Sequence, residues 1–218
     1  MNETYGTTEG LAKLRAGREA YEEVAQNCSS PGGPTEEDDK KLRAALATLR
    51  SATNWLEDTE HFEAAHDALD KAGSLARTEF PEGCVLPYRE GSYFMECPVA
   101  LAHNRVGMSI GFVARAIECS ICGHDPDECP HITGRMYDSE RCTRIITDLD
   151  LLEVSFVGRP RQPDARIMSM SVDMSDLRES LGDDFTPGGP VTCDRCLSSC
   201  DGVARPFEEL YAEYLDRE

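Results

Sequence analysis

The chain has 218 residues, with 22 basic against 41 acidic side chains and a net charge of -19. A surface so acidic repels phosphate backbones and anionic lipid, which disfavours nucleic acid as a partner and favours a basic protein surface. No run approaches the roughly eighteen consecutive apolar residues of a membrane span, and residues 1 to 10 are polar and acidic rather than a basic-plus-apolar secretory signal.

An apolar content of 40% with a mean hydropathy of -0.45 describes a globular chain long enough for one or two domains. Residues 8 to 26 place Leu11, Leu14, Tyr21 and Ala25 near helical spacing, and the segment ends in Cys28-Ser-Ser-Pro-Gly-Gly-Pro34. Thr35-Glu-Glu-Asp38 then has the form of a capping box, with acids in the first turn where the helix dipole favours them. Leu42, Leu46, Leu49, Thr53 and Leu56 follow at steps of four and three, and Phe62, Ala65, Leu69, Ala72 and Ala76 repeat the rhythm. With Asp58 or Thr59 as a second cap, these stripes predict a helical hairpin whose apolar faces are core or pairing surfaces.

From Phe80 the texture becomes β-rich. Strands are expected over Cys84 to Tyr88, Ser92 to Cys97, Met108 to Ile117, Arg144 to Leu149, Leu151 to Val157, and Arg166 to Val172, several alternating as half-buried antiparallel strands do. Ser175 to Leu181, closed by Gly182, reads as a short helix with Ser175 as cap, and Pro206 to Leu215 as a last amphipathic one. The fold class is therefore α+β, an N-terminal helical hairpin or bundle followed by a mostly antiparallel β domain.

The chemistry is concentrated in Cys119-Ser-Ile-Cys-Gly-His-Asp-Pro-Asp-Glu-Cys-Pro-His131. A Cys-x2-Cys turn followed by Cys-x-His supplies three thiolates and an imidazole, the donor set of a closed tetrahedral Zn²⁺ site. Cys119, Cys122, Cys129 and His131 are read as the ligands, with His124 and Cys142 as substitutes. Half-buried free thiols and a Cys-x-x-Cys redox pair are the competing readings, though redox motifs carry no Cys-x-His partner downstream. Four protein ligands leave no open position, so such a site braces a loop rather than performing catalysis. A second cluster, Cys193-x2-Cys196-x3-Cys200, offers three ligands to a second zinc, with Cys142, Cys97 or Cys84 as fourth. Ten cysteines without a secretory signal point to a reducing, cytoplasmic setting in which thiols serve metal rather than disulfides.

Two stretches flanking the zinc segment resemble the prohead maturation proteases of tailed phages, serine endopeptidases that trim capsid and scaffold proteins. They are Met108-Ser-Ile-Gly-Phe112, and Asp150-Leu-Leu-Glu-Val-Ser-Phe-Val157 with Pro160 and Pro163-Asp-Ala-Arg-Ile167. The match covers roughly residues 105 to 170, with the zinc loop as an insertion. It implies Ser109 as nucleophile and Glu153 as the residue assisting a histidine. A serine hydroxyl needs a positioned base; the chain offers His66 or His103 for that role.

Three regions result: an acidic helical region over 1–80, a prohead-protease-like β domain over 81–174 with its zinc loop at 118–142, and C-terminal helices with a Cys-rich segment over 175–218. Two functions compete. One is a zinc-stabilised protein-binding or assembly protein, phage-related or phage-defensive, with a basic or helical protein partner or a homo-oligomer. The other is an active serine endopeptidase.

Overall fold

The computed structural model describes residues 3–182, 184–198 and 200–204, so the helix expected over Pro206 to Leu215 lies outside the described residues. Three long helices come first: α1 (Glu3–Cys28), α2 (Glu36–Trp55) and α3 (Phe62–Glu79). The predicted capping box opens α2: Thr35 Oγ1 accepts from the Asp38 N–H at 3.2 Å, and Asp38 Oδ2 accepts from the Thr35 N–H at 3.0 Å. Asn27 at the end of α1 donates to the other Asp38 oxygen at 2.8 Å, tying the two helices at their shared turn. Neither Asp58 nor Thr59 caps α3, whose N-cap is His61 without a side-chain bond. Thr59 instead shapes the turn, donating to Leu56 O and accepting from the His61 N–H.

The predicted stripes of α2 and α3 form the core, with Leu42, Leu49, Leu56, Ala65, Leu69 and Ala72 fully buried. Each such leucine contributes about 1.5–3 kcal/mol of transfer free energy. On α1 the buried seam is Leu14 and Val24 rather than Ala25, interleaved with two glycines. A Cβ on Gly10 would lie 2.6 Å from a Leu56 methyl, and one on Gly17 2.6 Å from Leu49 Cγ. The backbone of α1 therefore rests directly on α2, an approach that a hydrophobicity count does not register.

After α3 the elements shorten: a 3-10 turn (Pro81–Gly83), β1 (Tyr88–Arg89), β2 (Ser92–Met95), α4 (Pro98–His103), β3 (Gly107–Cys119), β4 (Met136–Tyr137), β5 (Glu140–Arg141), β6 (Arg144–Val157), β7 (Met170–Val172) and α5 (Met174–Leu181). The α+β expectation holds, while several boundaries move. The two strands expected between Arg144 and Val157 are one, and residues 98–103, between two expected strands, form α4 with Pro98 at its first position. Asp173, not Ser175, caps α5 by accepting from the Ser175 N–H at 2.7 Å; Gly182 ends the helix at φ 87°.

The contacts divide the chain into two units, residues 1–107 with 157–218, and residues 108–156. The helical region thus belongs with the small sheet and the Cys-rich segment rather than forming a domain of its own. In the first unit β1, β2 and β7 make an antiparallel sheet with β2 central, Tyr93 opposite Val172 and Met95 opposite Met170. Fully buried Tyr93 donates its hydroxyl to Gly189 O at 2.6 Å and accepts from the Gly188 N–H at 2.9 Å, so the Pro-Gly-rich loop is fastened to the sheet.

A buried polar network fastens the segment after β6 to α2. Glu57 receives Arg105 through both carboxylate oxygens at 2.9 and 2.6 Å and is also paired with Arg166. Asp164 accepts from Ser51, Asn54 and the indole N–H of Trp55 at 2.8, 3.1 and 2.7 Å. The Asp164-Ala-Arg166 portion of the phage-protease resemblance is thereby a packing device within this unit.

The second unit is a ribbon. Among the described residues β3 and β6 have no other strand as partner; Ser120 N–H bonds Thr143 O at 3.0 Å at one end while Gly111 faces Glu153 further along, so the strands run antiparallel. The β4–β5 hairpin sits within the loop between them. Alternation predicted one buried face, yet Phe112, Ile145, Leu149, Leu152, Val154 and Phe156 are exposed.

Candidate metal centres

The tip of the ribbon is built around Cys119, the last residue of β3. Its carbonyl accepts from the Gly123 N–H and its own N–H bonds His124 O, each at 2.8 Å, closing a tight turn that Gly123 permits with φ 72°. Asp125 caps a second turn by accepting from the Asp127 N–H at 2.8 Å, which returns the chain to Cys129. One donor atom each from Cys119, Cys122, Cys129 and His131 lies within 4.8 Å of every other, the predicted set brought together. This cluster can hold a metal ion.

Two further observations fit a cation there. His131 Nδ1 is buried with no hydrogen-bond partner, while its ring is fixed edge-on against Tyr137 at 4.6 Å. Burial raises the Cys119 thiol, but the N–H groups of Ile121 and Cys122 and the neighbouring Cys129 and Cys142 outweigh it and bring the pKa down to about 6. Cys142 is buried with its sulfur 3.7 Å from that of Cys119, close to the ~3.8 Å expected of two thiolates on one tetrahedral zinc. Cys142, a substitute named from the sequence, thus stands beside Cys119 but outside the mutually close set of four.

In the first unit the second Cys cluster divides. Backbone pairing of residues 84–86 with 191–193, including Cys193 N–H to Cys84 O at 2.7 Å, sets Cys84 beside Cys193. Cys97, the N-cap of α4, faces the thiols of Cys193 and Cys196, which hydrogen-bond it and hold its pKa far down; the same hydrogen bonds, with burial, push both of theirs up. Arg43 donates to Cys84 Sγ at 3.4 Å. The four cysteines line one cavity of about 240 Å³. Gly73 keeps it open, since a Cβ there would come within 2.8 Å of Cys196 Sγ. Cys97 and Cys84, two of the three candidate fourth ligands, are therefore both present.

Cys200 does not join them. It lies with His66, Asp70 and His103, the four donor atoms again within 4.8 Å of one another. The assignment of Cys200 to the Cys193 cluster is corrected accordingly: the 3-10 turn Arg195–Leu197 directs Cys196 inward, and the chain beyond it passes α3 and α4 instead. Asp70 was missed in the sequence, although its place one helical turn after His66 was a legible signal.

The residues offered for catalysis are divided between the two units. Ser109 is half-buried on β3, and Glu153 on β6 lies over Gly111, where a Cβ would meet Glu153 Cγ at 2.8 Å. Within the unit that carries Ser109 the imidazoles are His124 and His131, both beyond Cys119 and so roughly 33 Å along the strand from Ser109. His66 and His103 belong to the other unit, where their Nε2 atoms face each other at 2.9 Å.

All ten cysteines are free thiols, and among the described residues no helix is long and apolar enough to cross a membrane. No family model, curated protein or solved structure matches the chain.

Proposed function

We propose that the chain is a zinc-braced, cytoplasmic assembly protein that joins copies of itself through the β3–β6 ribbon. The observation that supports this reading is the placement of exposed apolar side chains: eleven of the nineteen large ones exposed among the described residues lie on β3 and β6. They occupy both faces of a lone two-stranded ribbon, an arrangement marginal in water and more apolar than a monomer's surface usually carries. Both long edges also lack a strand partner among the described residues.

A second copy is the occupant that the apolar character of the ribbon favours, and the ribbon's own charge permits it. The whole chain carries -19, whereas β3 and β6 together carry Arg115 and Arg144 against Glu118, Asp148, Asp150 and Glu153. The ribbon's net charge of -2 is a small part of the whole, so it does not by itself keep like-charged copies apart. Zn²⁺ is the metal that the Cys-and-His donor set selects, and at the tip it would fix the register of a loop too polar to fold unaided. Reduced thiols at each cluster accord with a cytoplasmic setting.

The phage setting of this reading rests on the resemblance of residues 108–112 and 150–157 to the prohead proteases. The endopeptidase alternative draws no support from the two candidate bases, because the Nε2 atoms of His66 and His103 are turned toward each other, Asp70 and Cys200.

Light scattering on the full chain across a hundredfold concentration range tests the proposal. Oligomers that fall to monomer in a Leu152→Ser, Phe156→Ser double variant are expected. A chain monomeric throughout overturns self-assembly and leaves a different, basic protein as the ribbon's partner.

A further inference from the structure

We infer that His66, Asp70, His103 and Cys200 form a further divalent-metal site of the Zn²⁺ class, which clamps the segment around Cys200 onto α3 and α4. His66 and Asp70 are one turn apart on the same face of α3, and His103 is the last residue of α4. Both imidazoles are buried, at 7% and 6% exposure, on a protein where a solvated histidine would have been easy to place.

The geometry is that of ligands around a common point. His103 Nε2 lies 2.9 Å from His66 Nε2, 2.9 Å from Cys200 Sγ and 3.4 Å from Asp70 Oδ1. His66 Nε2 lies 3.4 Å from Cys200 Sγ and 3.6 Å from Asp70 Oδ2. A tetrahedral ion with bonds of about 2.0–2.3 Å separates its ligands by roughly 3.3–3.8 Å, so small side-chain adjustments would seat one.

Protons alone do not satisfy this cluster. His103 Nδ1 is 2.6 Å from Val99 O, which makes Nδ1 the donor and leaves Nε2 with a lone pair or a single hydrogen. That one position faces one nitrogen, one sulfur and one carboxylate oxygen at once. Asp70 Oδ1 is correspondingly buried without a directed hydrogen bond. One cation at the centre satisfies all four donors, and its charge balances one thiolate and one carboxylate.

The surroundings are those of ligand support. Val99 O fixes the His103 tautomer, as carbonyl partners of metal-bound imidazoles do. The Gly202 N–H points at Cys200 Sγ from 3.2 Å, a stabilising contact for a thiolate. Ala204 N–H bonds His103 O at 2.7 Å and Arg105 N–H bonds Ala204 O at 3.0 Å, so the segment after Cys200 runs along α4 with the site as its anchor.

Elemental analysis of the full chain and of a His66→Ala, Cys200→Ser double variant tests the site. The variant is expected to lose one zinc per chain and to keep the ion at the Cys119, Cys122, Cys129 and His131 cluster; equal zinc content in the two proteins overturns the inference. Should the variant fail to fold, ¹¹³Cd NMR of the unaltered chain loaded with Cd²⁺ decides. A resonance at the upfield position of a single-thiolate, two-imidazole donor set is expected, beside downfield signals from multi-thiolate sites. Downfield signals alone overturn it.

Discussion

The two units of this chain reach order by different routes. In the helical unit, Leu42, Leu49, Leu56 and Leu69 are withdrawn from water completely, and polar groups that enter the interior arrive with partners, as Glu57 does with Arg105 and Arg166. In the ribbon unit no residue of β6 is buried, and the buried side chains are cysteines at the tip, Cys119 and Cys142. The first unit is stabilised by apolar burial, whereas the second gathers its buried groups into a tip cluster that can hold a metal ion. Apolar side chains in the second are consequently free to serve as a surface, since folding does not consume them.

Removing one thiolate from the tip should separate the two routes most sharply. Structural zinc sites supply on the order of 10 kcal/mol of apparent folding free energy. Cys122→Ser is expected to abolish amide-exchange protection over residues 108–156 while residues 42–76 keep theirs. Retained protection over residues 108–156 would show that the ribbon's order does not come from the tip.

The next effect in size belongs to the buried charges. Glu57 is 9% exposed between two arginines, Arg105 at 1% and Arg166 at 5%. Glu57→Ala would leave both guanidinium groups without their carboxylate at a cost of about 3–5 kcal/mol. The single tryptophan, Trp55, donates to Asp164 at 2.7 Å and reports on this unit, so its fluorescence transition should move to lower urea concentration. An unmoved midpoint would mean that water already solvates the network.

A paired substitution then contrasts the two kinds of leucine. Leu49 is fully buried and Leu152 is 68% exposed. Leu49→Ala is expected to cost about 3 kcal/mol of helical-unit stability with association unchanged. Leu152→Ser should leave stability within about 0.5 kcal/mol and weaken association instead. Equal effects of the two changes on the unfolding midpoint would erase the distinction between core and docking surface.

The sequence made the helical unit legible for a physical reason: a helix buried on one face must repeat its apolar residues near every 3.6 positions, and α2 and α3 obey this. The same logic failed on the ribbon. Alternation in β3 and β6 correctly signalled strands, but which face is covered depends on a partner, and a pattern of period two is identical whether that partner is present or not. The tip cluster was legible because its ligands are local. The site at His66 and His103 was not, since it joins residues on α3 and α4 to Cys200 from a distant segment, and spacing carries no information about such meetings. Gly10 and Gly17 escaped notice for a related reason, because their role is to have no side chain where α2 passes.

The smallest effect tests the local end of this scale, at the α2 capping box. Thr35→Ala is expected to cost about 1 kcal/mol at neutral pH, read from Trp55 unfolding. The Asp38 carboxyl is held below its usual value first by the Thr35 hydroxyl and then by Asn27. Its folded-state pKa is thus depressed, so its contribution is complete above the unfolded value near 4 and disappears as pH falls through the lower folded value. The difference between Thr35→Ala and the unaltered chain should therefore narrow as pH drops from 5 toward 3, without vanishing, because the Thr35 oxygen still accepts the Asp38 N–H when the carboxyl is neutral. A difference that stays constant across that interval would assign the whole cap to the backbone bond and none to the carboxylate.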